Sequence, residues 1–224
     1  MKVSILTLFP EMFDGFINSS IIKRAIDKNI LDIELVNIRD FSTLNNKQVD
    51  DTPYGGGAGM VMRVDIVYDA IESVRTPESK VYLMSPSGKV FNQGMAQDLS
   101  KCKHLILVCG HYEGIDDRIT NFIDGEISIG DYILTGGETA SMVITDAVTR
   151  LIGGVITKES LDDESFNDNL LDYPTYTRPY EFKGLKVPDV LISGHHENIN
   201  KWRYEERVRR TEERRPDIIN KDNK

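Results

Sequence analysis

The chain has 224 residues, of which 40% are hydrophobic and 28% are charged, a composition typical of globular rather than disordered or fibrous proteins. This length suffices for one well-filled domain and a smaller appendage. The net charge of -9 excludes a surface that is basic all over and coats nucleic acid, but it leaves room for a local basic face.

The two cysteines, Cys102 and Cys109, form no CxxC pair, so the sequence offers neither a disulfide framework nor a zinc cluster. Because the sequence identifies no partner histidine, the two cysteines are more typical of small core residues than of nucleophiles. The apolar run at 3–9 ends at Pro10 and is too short for a signal peptide or a membrane span. We therefore expect a cytoplasmic protein without a membrane segment.

The first elements in chain order are a strand, a helix and a second strand. Residues 3–9 suit a buried strand, and Pro10 stands where a first helical turn tolerates proline. Apolar residues then follow one helical stripe as far as Ile26, and 31–38 predict the second strand. The glycine-rich stretch that ends at Gly59 predicts a mobile loop, and 63–75 returns to helical spacing.

Three apolar runs, at 81–88, 105–114 and 127–137, each end in glycine. Helical patterns follow the first run at 92–101 and the third at 138–152. Strands that alternate with helices predict an α/β domain with a largely parallel sheet.

The character of the sequence changes after Leu151. Residues 153–174 are rich in Asp, Glu, Asn and Ser, as in a linker. The tail, 195–224, holds nine Lys and Arg against seven Asp and Glu, and it includes Trp202. A basic tail on an acidic body suits a phosphate backbone.

The glycine-ended loops should cluster at the carboxyl ends of the strands, where ligands enter parallel sheets. They match neither dinucleotide nor phosphate-loop patterns, and nearby carboxylates such as Glu113 and Asp131 would repel a phosphate. An adenosine that carries a positively charged sulfonium fits both features. Any one loop is more typical of an ordinary strand-to-helix turn, but three in succession favour a ligand site.

Five motifs carry a resemblance to a known family: PYGGGAGM (53–60), LVCGHYEGIDDR (107–118), SIGDYILTGGE (128–138), SFNDNLLDYPTYTRP (165–179) and SGHHENINKWR (193–203). Together, and in this order, they resemble bacterial tRNA (guanine-37-N1)-methyltransferase, a member of the SPOUT superfamily. The resemblance spans nearly the whole chain.

The resemblance implies an α/β SPOUT domain with a deep trefoil knot and a small helical C-terminal domain. It divides the chain into a knotted methyltransferase domain at 1–155, a linker at 156–173 and a helical tRNA-binding domain at 174–224. It further implies a homodimer with composite active sites, and tRNA with guanosine at position 37 as the substrate. The loop at 54–60 would help to bind tRNA and cover the site, and the basic tail would grip the anticodon arm.

The resemblance also implies that S-adenosyl-L-methionine is the methyl donor, held mainly by main-chain groups of the three loops. The residues carried over from the family are Leu83, Met84, Ser85, Pro86 and Gly88 in the first loop, Gly110, Tyr112 and Glu113 in the second, and Ser128, Ile129, Gly130, Asp131, Tyr132, Ile133, Leu134, Gly136 and Gly137 in the third.

Methylation of guanine N1 requires removal of the N1 proton, after which negative charge collects on O6. The family's arginine, which would face O6, maps onto Arg150, and its catalytic Asp position holds Glu164 here. The interval from Arg150 to this position is one residue shorter than usual, which the longer side chain of Glu164 would offset. Glu164 is therefore the expected base, and the neighbouring Asp163 is the alternative. Asp172 matches a second family carboxylate that helps to hold the guanine. Ala140 stands where the family has a proline-bearing turn.

Three questions stay open at the level of sequence. The family needs magnesium for activity, and Glu113 is the residue to associate with it, but no ligand cluster marks a metal site. One alternative function for the chain is methylation of a ribose 2′-oxygen, the reaction of other SPOUT relatives. An RNA-binding module that has lost catalysis is another.

Overall fold

The computed structural model describes residues 1–157, 165–166 and 168–219. These residues fall into two compact units, Met1–Ile156 and Thr157–Lys224. Glu164 and Asp163, the two candidates for the base, lie outside the described residues.

The first unit is built on a five-stranded sheet in which every neighbouring pair is parallel. This arrangement confirms the predicted α/β class. Across the sheet, the strands are β2 (Asp32–Asn37), β1 (Lys2–Thr7), β6 (His104–Cys109), β5 (Ser79–Val90) and β7 (Gly125–Ser128). A separate antiparallel pair joins β3 (Asp50–Asp51) to β4 (Val61–Met62).

Helices cover both faces of this sheet, so its central strands are buried on both sides. Along β6 the side chains alternate: Leu105 and Leu107 enter one hydrophobic core, whereas Ile106 and Val108 enter the other. The helices are α1 (Asp14–Ile17), α2 (Ser20–Asp27), α3 (Val64–Val74), α4 (Gln93–Leu99) and α5 (Glu138–Thr149), with short 3-10 segments at Pro10–Phe13, Ile38–Phe41, Asn45–Lys47 and Asp117–Phe122.

The helical stripe predicted to run from Pro10 to Ile26 is interrupted. The Asn18 side-chain amide donates to the carbonyl of Asp14, and the Ser19 hydroxyl donates to the carbonyl of Gly15. These short polar side chains satisfy carbonyls that a continuing helix would use. The chain therefore forms two helices, α1 and α2, instead of one.

Strand β5 is irregular at the point where the first glycine-ended run was predicted to stop. Met84 and Lys89 both pair with Ile127, so 85–88 leave the ladder between them. A Cβ on Gly88 would lie 2.4 Å from the main-chain carbon of Glu126. Only glycine allows the strand to return this close to β7 after its excursion.

The second unit contains a hairpin and three helices among its described residues. They are β8 (Glu181–Phe182), β9 (Leu185–Lys186), α6 (Asp189–Ile192), α7 (His196–Arg214) and α8 (Pro216–Ile219). Within the unit, Trp202 of α7 lies beside Tyr176, with ring centroids 6.4 Å apart. None of the described helices is long and apolar enough to cross a membrane.

Candidate methyl-donor and catalytic site

A cavity of about 490 Å³ opens at the carboxyl ends of β5, β6 and β7, where the three glycine-ended loops meet. Fifteen of the seventeen donor-site residues named from the sequence line it. The two that do not are Gly88, which packs against β7, and Asp131, which is exposed on the third loop. The parallel sheet thus brings together loops that are far apart in the chain.

The first loop supplies a partly apolar wall. Leu83 and Met84 are buried at the end of the regular part of β5. After them, the Ser85 hydroxyl accepts a hydrogen bond from the amide of Ser87, which turns the chain out of the strand.

The second loop begins at Gly110 and holds Tyr112 in the left-handed region, with a φ of 58°. This conformation is uncommon for a residue with a side chain, and residues held in it cluster at ligand sites. The Tyr112 ring meets the His111 ring edge-on at 5.1 Å. Its hydroxyl accepts a long, 3.5 Å hydrogen bond from Arg39.

The third loop leaves β7 at Ser128, whose hydroxyl accepts a hydrogen bond from the Gly130 amide. Tyr132, Ile133 and Leu134 follow and line the cavity, although all three are exposed. Apolar side chains at the rim of an open cavity are available to cover a ligand that enters it.

The glycine pair closes the third loop against the second. The amide of Gly137 donates to the carbonyl of Gly110 at 2.9 Å. A Cβ on Gly137 would lie 2.7 Å from Cys109 Cα, so a larger residue would separate the loops. The main chain itself therefore forms this wall, as expected for a ligand read by backbone groups.

Arg150 immediately follows Thr149, the last residue of α5, and its amide donates to the carbonyl of Asp146. The same helix begins at the glycine pair, so one rigid element joins the cavity to the arginine. In the second unit, Asp172 Oδ1 accepts from the Tyr173 amide, and the Asp172 amide donates to Ser165 Oγ.

Comparison with known proteins places the chain in a family. The model of the tRNA (Guanine-1)-methyltransferase TrmD family matches residues 1–221. The chain belongs to this tRNA methyltransferase family.

Similar proteins support the assignment at high identity, and each is described as a tRNA (guanine-N(1)-)-methyltransferase. The protein of Malacoplasma penetrans is 56% identical over 219 residues, which cover 98% of this chain and 97% of the relative. That of Clostridium perfringens strain SM101 is 57% identical over 223 residues, covering 99% and 94%. That of Mycoplasma capricolum is 54% identical over 220 residues, covering 98% and 92%. The predicted family and enzyme class are therefore confirmed.

Two residues in or beside this methyltransferase's cavity, Glu138 and His111, were not singled out from the sequence. Glu138 is buried at the start of α5, and its carboxylate accepts a 2.8 Å hydrogen bond from Thr7 of β1. His111 lines the cavity between Gly110 and Tyr112. The sequence offered one signal for Glu138, a charged residue directly after a glycine pair. Nothing in the sequence indicated that Thr7, 131 residues away, would be its hydrogen-bond partner.

Carboxylates set the electrostatic character of the cavity. Glu113, Asp117 and Glu126 line it, which suits a cationic ligand better than a phosphate. Within the described ranges, no three His, Cys, Asp or Glu side chains come together to hold a metal ion. Cys109 lies buried at the end of β6, where burial raises the pKa of its thiol, so it has the character of a core residue.

Proposed function

We propose that this protein transfers a methyl group from S-adenosyl-L-methionine to N1 of guanosine 37 of tRNA, next to the anticodon. The observation that carries the proposal is the cavity: its walls are three glycine-ended loops at one edge of a parallel sheet, in a chain of the tRNA (guanine-1)-methyltransferase family. Methyltransferases of this kind take the methyl group from S-adenosylmethionine.

The cavity suits each part of this donor. In this proposal, main-chain groups of the second and third loops, which meet through the Gly137 and Gly110 hydrogen bond, read the adenine edge. Leu83, Met84 and Ile129 provide apolar surface for the base. The cavity carboxylates tolerate the positive sulfonium, which becomes a neutral thioether once the methyl group leaves.

In the proposed reaction, a carboxylate takes the N1 proton of guanine, and the N1 lone pair attacks the methyl carbon as the bond from carbon to sulfur breaks. Glu164 or Asp163 is the base, and general-base catalysis of this kind contributes roughly 10²- to 10⁴-fold. Arg150 faces O6 and stabilises the negative charge that develops there. Asp172 helps to hold the guanine.

The family also supports a wider assignment that we propose for this chain. Residues 1–155 form the knotted methyltransferase domain, 156–173 the linker and 174–224 the tRNA-binding domain. Two copies form a homodimer with composite active sites, in the cytoplasm. Magnesium remains a predicted requirement without an identified site, and the reaction steps above use only residues of the chain.

Mass spectrometry of nucleosides from tRNA treated with the protein and S-adenosylmethionine tests the proposal. The expected product is 1-methylguanosine, absent when the substrate carries adenosine at position 37. A 2′-O-methylated nucleoside instead would identify a ribose methyltransferase. Failure of the protein to bind S-adenosylhomocysteine in calorimetry would favour an RNA-binding module without catalysis.

A further inference from the structure

Glu138 is a buried acid that the proposed reaction does not use. It is the first residue of α5, and only 2% of its surface is exposed. A buried carboxylate lowers stability unless other groups compensate its lost hydration, so its surroundings require an explanation.

One oxygen of Glu138 is held by the first strand of the sheet. Oε1 accepts a 2.8 Å hydrogen bond from Thr7 Oγ1. The same Thr7 oxygen accepts a 2.9 Å hydrogen bond from the Phe9 amide, which leaves its single proton for Glu138. Glu138 also lies at the amino end of α5, where the helix dipole is positive.

The other oxygen lies where the second and third loops meet. A Cβ on Gly136 would lie 2.4 Å from Glu138 Oε2 and 2.8 Å from His111 Nδ1, so both atoms border the same small space. His111 Nδ1 is buried and has no hydrogen-bond partner among the described residues. The imidazole ring stands between Phe9, at 5.0 Å, and Tyr112, at 5.1 Å.

We propose that Glu138 is a positioning residue of the methyl-donor site, which, anchored by Thr7, sets the spacing between His111 on the second loop and Gly136 on the third. Glu138 does not line the cavity, whereas His111, Tyr112 and Gly136 do. It therefore acts through the loops and not by contact with the donor. This inference rests on the proposed donor site.

Stability alone gives a weak reason for a charge at this position. Replacing buried charged groups by apolar side chains of similar volume is often neutral or stabilising. An apolar residue would fill the space but place no polar atom beside His111 Nδ1. The carboxylate both accepts a hydrogen bond from Thr7 through Oε1 and places a second oxygen, Oε2, at the space that His111 Nδ1 also borders.

The test is calorimetric binding of S-adenosylhomocysteine to the full chain, together with the KM for S-adenosylmethionine and kcat at saturating donor. Glu138→Gln keeps the volume and an acceptor for Thr7 but removes the charge, and Thr7→Val removes the hydroxyl alone. We expect each to raise the Kd and the donor KM on the order of 10-fold, because small displacements of binding groups have effects of this size. The kcat at saturation should stay within about threefold of the unchanged protein.

Thr145→Val is the matched control in the same helix. The Thr145 hydroxyl is buried, and within the described structure it has no hydrogen-bond partner. Its removal should leave the Kd unchanged. Should Glu138→Gln not fold, Thr7→Val still carries the test.

Binding within twofold of the unchanged protein in both Glu138→Gln and Thr7→Val would overturn the inference, even if their melting temperatures fall. An equal loss of binding in Thr145→Val would also overturn it, because any change in α5 would then suffice. Failure of the unchanged protein to bind S-adenosylhomocysteine is a different result, which would count against the proposed function itself.

Discussion

The amide of Gly137 donates a 2.9 Å hydrogen bond to the carbonyl of Gly110, and this contact fixes the third loop of the cavity against the second. Gly137 has a φ of -80° and a ψ of -7°, a conformation open to any residue. What requires glycine there is space, since a Cβ would lie 2.7 Å from Cys109 Cα and 3.0 Å from Met84 Cβ.

Gly137→Ala should therefore damage the donor site without straining its own dihedral angles. We expect a loss of about 1–3 kcal/mol in the free energy of unfolding, as for other overpacked positions. S-adenosylhomocysteine should bind at least 10-fold more weakly, because the second and third loops must separate to make room for the alanine side chain. Chemical denaturation and calorimetry measure the two effects.

Gly15→Ala in α1 provides the control for this substitution. A Cβ at Gly15 meets nothing within 4 Å, and alanine favours a helix over glycine by about 0.5–1 kcal/mol. This variant should be as stable as the unchanged protein or more so, with the same donor affinity. Equal damage from both substitutions would contradict the spatial explanation.

The cavity could be anticipated because its determinants are local in sequence. Each apolar run predicts a strand, each terminal glycine predicts a turn, and a parallel sheet brings these turns to one edge. The pairing of Thr7 with Glu138 could not be anticipated, because it joins the first strand to a helix 131 residues later. Gly88 shows the same difficulty, since its role depends on β7 passing beside it. The interruption after α1 depends on the side chains of Asn18 and Ser19, which compete with the helix for main-chain carbonyls. A pattern of apolar residues contains no information on this competition.

His104 should make the stability of the first unit sensitive to mild acid. Its Nε2 lies 2.9 Å from Ser4 Oγ and its Nδ1 2.8 Å from Ser79 Oγ. The Ser4 hydroxyl donates to Glu34, so it accepts from Nε2–H, and the neutral ring then accepts from Ser79 through Nδ1. Burial is the largest cause that lowers the pKa of His104.

The sign of the pH dependence follows from this lowered pKa. The unfolded chain binds a proton at an ordinary His pKa of about 6.5, whereas the folded chain resists protonation of His104. The contribution of His104 to stability is therefore full above that pH and is lost as the pH falls below it. Glu34 acts in a lower range, because its hydrogen bond to Lys2 lowers its pKa below the ordinary value. The melting temperature, measured by thermal unfolding between pH 8 and 5, should have a smaller slope against pH for His104→Gln than for the unchanged protein. An identical slope would show that His104 does not contribute.

Thr211 should matter to the reaction through Asp172. Thr211 is fully buried in α7; its hydroxyl accepts from the Leu171 amide at 2.9 Å and donates to the Arg207 carbonyl at 2.7 Å. Arg207 also contacts this segment, with a hydrogen bond to the Leu171 carbonyl and an ion pair with Asp168. The segment before Asp172 is thus fastened to the helix.

Thr211→Val removes the hydroxyl and leaves the Leu171 amide without its acceptor, which costs about 1–3 kcal/mol. If Asp172 holds the guanine, the rate of tRNA methylation should fall while the Kd for S-adenosylhomocysteine stays unchanged. Thr211→Ser keeps the hydroxyl and should retain most of the rate. Single-turnover methylation and calorimetry on the three proteins separate these effects, and a normal rate in Thr211→Val would argue against a role for Asp172.

The positive charge of α7 is less available to tRNA than its sequence indicates, and this predicts unequal effects of arginine substitutions. Arg209 forms ion pairs with Glu206 and Glu213, whereas Arg214 is exposed and forms no ion pair in the described part of the chain.

Arg214→Ala should weaken tRNA binding and reduce the dependence of log affinity on log salt by about 1, as expected for the loss of one phosphate contact. Arg209→Ala, the matched control, also frees two carboxylates, so it should leave the salt slope nearly unchanged. Filter binding at several salt concentrations measures both slopes, and equal slopes for the two variants would contradict a contact between Arg214 and phosphate.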